Sequence, residues 1–182
     1  MTSTITRCLA ILTLGMTSAA HTIGAETRSV PLEGTPAEIE LFEAFENDVF
    51  QIGVKLYTNR VYTLKEAPDF LLGQSLVRNS IDRTGFRCTK PGVITILTPD
   101  PKHPRAATVY KELEAAGFTR IDTGNLYQLF GDAEYDLVRV YQKQLEEGEE
   151  YRLGKWAVLV GPAKMTRWRP VPLDPPNPWP EN

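Results

Sequence analysis

With 182 residues, 20 basic and 23 acidic side chains, the chain carries a net charge of −3 and is long enough to bury a sufficient core without cross-links. No cluster of Lys or Arg longer than two residues occurs, so the sequence lacks the basic face that nucleic acid or an anionic membrane demands. Of the two cysteines, Cys8 falls in the N-terminal segment, which leaves Cys88 without an internal disulfide partner.

Arg7, the apolar run 8–16 (CLAILTLGM) and Ser18-Ala19-Ala20 form a secretory signal peptide over residues 1–25, with cleavage after Ala20 or Ala25. The apolar run is far shorter than the ~20 residues a bilayer span needs. An uncleaved N-terminal anchor is the alternative. Cys8 lacks the small-residue context of a lipoprotein cysteine, so the chain is expected to be exported, to the periplasm or beyond, without a lipid.

Residues 26–34 are a polar lead-in to a body over 35–167. Thr35-Pro36-Ala37-Glu38 reads as a capping box, and Ile39, Phe42 and Phe45 follow at near-helical spacing, predicting a helix over 36–46. Alternation of Ile39 and Leu41 makes a strand over 39–45 the competitor. A strand over 49–57, interrupted by a bulge at Gly53, comes next. Two extended runs, 54–64 and 75–81, are rich in β-branched and aromatic residues and flank the turn formers Pro68, Asp69 and Gly73.

Residues 82–85 read as a turn, 86–89 as a strand carrying a buried Cys88, and Lys90-Pro91-Gly92 as the turn of a hairpin into the strand 93–97 (VITIL). Prolines 99, 101 and 104 predict an irregular loop over 98–104, excluded from ladder pairing. Ala106, Val109, Tyr110 and Leu113 share one stripe, so a helix is expected over 105–116, closed by Gly117 and Phe118. Short strands at 118–122, 126–130, 137–143 and 155–160 complete a mainly β, single β-sandwich-like domain with one or two short helices. The segment 168–182 is a proline-rich tail, either inert or a ligand for a protein partner.

Chemistry is sparse. His103 is the only histidine outside the N-terminal segment, which leaves a Cys88–His103 dyad to tertiary coincidence and gives no zinc-ligand pattern. Asp132, Glu134 and Asp136 alternate but lack a calcium-loop pattern, and Glu146, Glu147, Glu149 and Glu150 read as a solvated turn around Gly148. No phosphate-binding glycine loop occurs, and neither cofactor nor metal is called for. Aromatics are the remaining lead, because a sugar's apolar face stacks on exposed rings while short polar side chains bond its hydroxyls. Trp156 alternates with Val158 and Val160 and reads as core. The candidate ligand-binding residues are Tyr57, Asn59, Arg60, Tyr62 and Trp168.

The order of motifs carries a resemblance. Residues 57–64 (YTNRVYTL), then Ala67-Pro68-Asp69, Gly73, 77–82 (VRNSID), the Pro-Gly turn, the helix ending in Gly117-Phe118 and 140–143 (VYQK) follow one another across about 53–160. This succession resembles the small β-sandwich modules attached to secreted bacterial sulfatases and polysaccharide-degrading enzymes. Asn59 stands where that pattern has Asp, and Asn79-Ser80 departs from its Thr-x. The resemblance implies a β-sandwich and an exported setting and brings no catalytic residues. The expected function is a secreted, non-catalytic module that binds carbohydrate or a cell-envelope polymer. The alternatives are a small exported hydrolase using paired carboxylates and a protein-interaction module using the tail.

Overall fold

The computed structural model describes residues 27–100, 109–124 and 137–169. In chain order the strands are β1 Thr27–Arg28, β2 Glu38–Leu41, β3 Glu46–Val49, β4 Ser75–Arg78, β5 Thr84–Lys90 and β6 Gly92–Pro99. The helix α1 Val109–Ala115 precedes β7 Thr119–Ile121, β8 Val138–Leu145, β9 Glu150–Leu153, β10 Val158–Val160 and β11 Lys164–Arg167. They form a seven-stranded sheet, β1-β7-β8-β6-β10-β4-β3, and a four-stranded sheet, β11-β2-β5-β9. Both are antiparallel except where β1 meets β7 and β11 meets β2. The expected β-sandwich-like architecture is what the chain adopts.

β6 runs through the middle of the larger sheet, and its mostly apolar, β-branched sequence reflects burial on both faces. Ile94 and Ile96 face the smaller sheet, where they join Ile39, Leu41, Phe86, Cys88, Tyr141 and Leu159 in one core. Thr95 and Leu97 face the other way. There a second core of Phe50, Leu56, Tyr57, Leu64 and Leu71, all from the irregular stretch 50–74, packs on Leu76, Val140, Val158 and Val160. Among the described residues the seven-stranded sheet is therefore covered on both sides, and the outer face of the smaller sheet is not.

The expected helix over 36–46 is instead β2, a bend and β3. Its local helix signals lose to pairing. Ile39 and Leu41 are 1% exposed and face the core, Glu38 and Glu40 face out, and β5 and β11 flank the strand on both sides. Tertiary pairing outweighs a propensity difference of under ~1 kcal/mol per residue. The strand expected over 49–57 stops at Val49, the end of β3. Gly53 lies beyond it in a turn at φ +85.

The run 54–64 is an arch held by Gly53 N–H to Leu64 O, Leu64 N–H to Val54 O and Leu56 N–H to Tyr62 O, rather than a ladder strand. Of the run 75–81, only Ser75–Arg78 pairs as β4.

Lys90-Pro91-Gly92 does not close a hairpin. β5 and β6 belong to different sheets, and this turn carries the chain between them. Gly92 is required by close approach: a Cβ there would lie 2.5 Å from the Thr35 carbonyl oxygen and the Ala37 nitrogen. Val93 N–H donates to Thr35 O and Ala37 N–H to Val93 O at this crossing. Thr98 and Pro99, expected in a loop, extend β6 opposite Arg139 and Val138. A proline at the strand's last residue removes no ladder bond from its interior; residues 101–104 lie outside the described part, as do 105–108 of the expected helix and the strand expected at 126–130.

The helix ends as its sequence predicts. Gly117 takes φ +79, its N–H donates to Glu114 O, and Phe118 N–H donates to Leu113 O. These are the paired bonds of a Schellman cap, with Phe118 and Leu113 both in the core. The acidic run 146–150 is a turn between sheets with Gly148 at φ +85. Within it Glu149 accepts from Lys143 Nζ at 2.9 Å and from Glu146 N–H at 3.0 Å.

Candidate ligand-binding surface

Tyr57, Asn59, Arg60 and Tyr62 come together in the arch that covers the seven-stranded sheet. Tyr57 is completely buried, and burial, followed by the nearby Tyr62, pushes its phenol pKa upward. Its ring is therefore in the core rather than on a surface. Asn59 is a hub. Its Nδ2 donates to Ser80 Oγ at 2.9 Å and Asp82 Oδ2 at 3.1 Å, and its Oδ1 accepts Ile81 N–H at 3.0 Å.

Arg60 Nη1 bonds the Asn59 carbonyl at 2.7 Å. Tyr62 stacks on Trp156, with ring centroids 5.8 Å apart at 26°. Trp156 holds φ +76 and packs against both cores, in a turn that precedes β10 rather than within the strand. Asn59 thus pins the arch to the loop that leaves β4, and Tyr62 ties it to the turn before β10.

Trp168 lies elsewhere, on the open face of the four-stranded sheet. Its N–H donates to Leu41 O at 2.8 Å, continuing the β11–β2 ladder. Phe42 follows the outward positions Glu38 and Glu40 of β2, and its N–H donates to Gly85 O at 3.0 Å. Gly85 in turn opposes Arg152 of β9. One row thus crosses all four strand positions: Trp168, Phe42, Gly85, Arg152.

Gly85 is the empty place in that row. Phe42 and Arg152 stand two strand spacings apart, about 10 Å, and a side chain between them would separate them. A Cβ on Gly85 would lie 2.8 Å from Phe42 Cδ2. Without it, the Arg152 guanidinium sits 4.7 Å over the Phe42 ring. Such contacts are worth about 0.5–1 kcal/mol at exposed sites.

Trp168 meets the same ring edge-on, at 6.0 Å and 80°, and is 37% exposed. Glu43 accepts Gly85 N–H at 3.0 Å and lies 3.5 Å from Arg83 Nε. Phe42 and Arg152 were not among the sequence candidates. Phe42 had been placed on a helix, and nothing in the sequence pairs Arg152 with it. The period-2 pattern Glu38, Glu40, Phe42 was the available signal.

Several of the described carboxylates are engaged by cations or hydroxyls. Glu46 and Asp48 both converge on Arg78, at 2.9 and 3.0 Å. Asp100 holds Arg139 at 3.1 Å, and Glu114 accepts the Tyr141 hydroxyl at 2.8 Å. Among the described residues no group of three or more His, Cys, Asp and Glu is placed to hold a metal. His103, Asp132, Glu134 and Asp136 lie outside the described residues, as does the tail beyond Arg169.

A groove of about 440 Å³ opens between residues 34–36 and 161–163 at one end of the larger sheet. Its polar floor is internally bonded: Gln142 donates to Thr95 Oγ1 at 2.9 Å and accepts Leu32 N–H at 2.8 Å.

No family model and no curated protein matches the chain. Among solved structures, it is similar to a beta-glucuronidase from glycoside hydrolase family 2, with 19% identity, TM-score 0.45 and 67% of this chain covered. It is also similar to a GH138 enzyme targeting pectin rhamnogalacturonan II, with 14% identity, TM-score 0.47 and 77% covered. The matched parts span only 14% and 18% of those enzymes. At such TM-scores the likeness carries no weight for function. No helix among the described residues is long and apolar enough to cross a membrane.

Proposed function

We propose that the chain is an exported, non-catalytic module that binds a carbohydrate polymer on the outer face of its four-stranded sheet. In this reading residues 1–25 are a signal peptide, 35–167 form the module and 168–182 a tail that starts at the binding face. The observation that carries it is the row Trp168–Phe42–Arg152. An exposed indole, a second ring and a guanidinium lie side by side on an open sheet face, the combination of apolar plane and fixed donors that a sugar requires. The resemblance to accessory modules of secreted polysaccharide-degrading enzymes fits the same setting.

Of the five sequence candidates, Trp168 is the one we assign to ligand contact. Asn59, Arg60 and Tyr62 are assigned to positioning the arch, and Tyr57 to the core. A glycan-array screen of the folded protein tests the reading. Specific binding is expected, weakened roughly tenfold by Trp168→Ala, about 1–2 kcal/mol for one lost stacking surface. A blank array from protein with a native circular dichroism spectrum would sink it.

A further inference from the structure

We infer that the ligand of this platform is an anionic polysaccharide, with the Arg152 guanidinium gripping a uronate carboxylate while Trp168 stacks on a neighbouring sugar ring; this deepens, and rests on, the carbohydrate reading above. The face is not uniformly charged. Toward its far side the charges cancel in cross-strand pairs, Lys90 with Glu38 at 3.3 Å and Arg87 with Glu150. Around the aromatic row they do not. Among the described residues Arg152 makes no ion pair with any carboxylate.

Arg167 pairs with the inward-facing Leu41 in the β11–β2 ladder, so its side chain leaves the sheet on the side opposite Trp168, and the row's own cation is Arg152. Glu43, the carboxylate beside Phe42, is already engaged by Arg83 and Gly85 N–H.

Arg152 is also localised: its guanidinium carbon lies 4.7 Å over the Phe42 ring, in the space that Gly85 leaves. A planar fork of N–H donors matches a carboxylate by two parallel bonds, which an ammonium cannot reproduce. Holding the guanidinium against the ring in advance lowers the ordering cost of binding. A polymer carrying carboxylates on pyranose rings offers both features the row can use, a flat apolar ring face for Trp168 and a planar anion for Arg152.

The test measures binding of the full chain to polygalacturonate, to a sulfated dextran and to an uncharged galactan. Polygalacturonate is expected to bind most tightly. Arg152→Gln is expected to weaken it about tenfold and to leave any weak galactan binding unchanged, with Arg152→Lys recovering little of the loss. Gly85→Ala, which keeps Arg152 but displaces the ring beneath it, is expected to reproduce part of the loss. Arg152 is an exposed residue, and an unchanged thermal midpoint confirms that the variant folds.

Equal, Trp168-dependent binding of galactan and polygalacturonate would overturn the anionic assignment while leaving the carbohydrate reading intact. Sulfated dextran binding as tightly as polygalacturonate would overturn the carboxylate fork, and so would an unchanged affinity in Arg152→Gln. Folded protein that binds none of the three polymers would overturn both readings.

Discussion

Gly92 sits where the chain passes from one sheet to the other, and Gly92→Ala tests that crossing. The added Cβ would lie 2.5 Å from the Ala37 nitrogen and the Thr35 carbonyl oxygen and 2.6 Å from the Pro36 carbonyl carbon. All three are backbone atoms, so no flexible side-chain end can swing aside and the strap 35–37 must move. Overpacking of this kind costs about 1–3 kcal/mol. Movement of the strap also stretches Val93 N–H to Thr35 O, at 2.8 Å, and Ala37 N–H to Val93 O, at 3.0 Å. Each such bond contributes about 0.5–1.5 kcal/mol.

The expected loss is about 3–5 kcal/mol, a fall of roughly 10 °C in thermal midpoint for a chain of this size. Gly117→Ala is the matched control. It lies at φ +79 with nothing within 4 Å of the new Cβ, so only the left-handed backbone penalty of about 1–2 kcal/mol applies. Urea titration of both variants gives the comparison. A loss in Gly92→Ala no larger than in Gly117→Ala refutes the steric reasoning.

Two further outcomes follow from buried titratable groups. Burial, and then the hydrogen bond to Glu114, push the Tyr141 phenol up to about 12 from the ordinary value of 10.0. The folded value is the higher one, so this contribution to stability is complete below pH 10 and is lost as pH rises toward 12. Urea midpoints followed over that interval are expected to fall by about 1–3 kcal/mol equivalent, and by less in Tyr141→Phe; identical alkaline profiles for the two proteins would contradict the assignment. Cys88 is fully buried, its thiol donates to Lys90 O at 3.2 Å, and burial raises its pKa. Peptide mapping after alkylation at neutral pH is expected to find Cys88 unmodified in the native protein and modified after unfolding, whereas equal labelling in both states would place it at the surface.

What could be read from the sequence was mostly what neighbouring residues decide. The Schellman cap at Gly117 needs only residues 113–118, and every one of its signals is local. The VITIL strand announces itself because burial on both faces leaves β-branched and aliphatic residues at every position, the polar Thr95 included. The helix expected over 36–46 failed because its capping signals are local while β2 is made by two partners, β5 and β11, drawn from distant parts of the chain. The Pro-Gly turn failed for a related reason. A turn formed of Lys90-Pro91-Gly92 looks the same whether the next strand returns to its own sheet or crosses to the other one. The candidate surface was half legible. Trp168, set between two arginines, marked itself as exposed, but Phe42 and Arg152 meet it only through the register of β2, β5 and β9, and no short motif encodes a register.

The irregular stretch 50–74 also covers one face of the seven-stranded sheet. It contributes Phe50, Leu56, Tyr57, Leu64 and Leu71 to the core on the outer side of the seven-stranded sheet. It is fastened at its tip by Asn59 to Ser80, Ile81 and Asp82. The same fastening holds the loop 79–83, which leads into β5 and delivers Gly85 beneath Phe42. Asp82 and Gly85 are three residues apart, at most about 11 Å of chain. The arch residues singled out from sequence thus stand away from the aromatic row rather than in it. By this geometry, loosening the Asn59 clamp acts on the aromatic row indirectly, through the position of β5, whereas removing Trp168 or Arg152 acts on it at the surface.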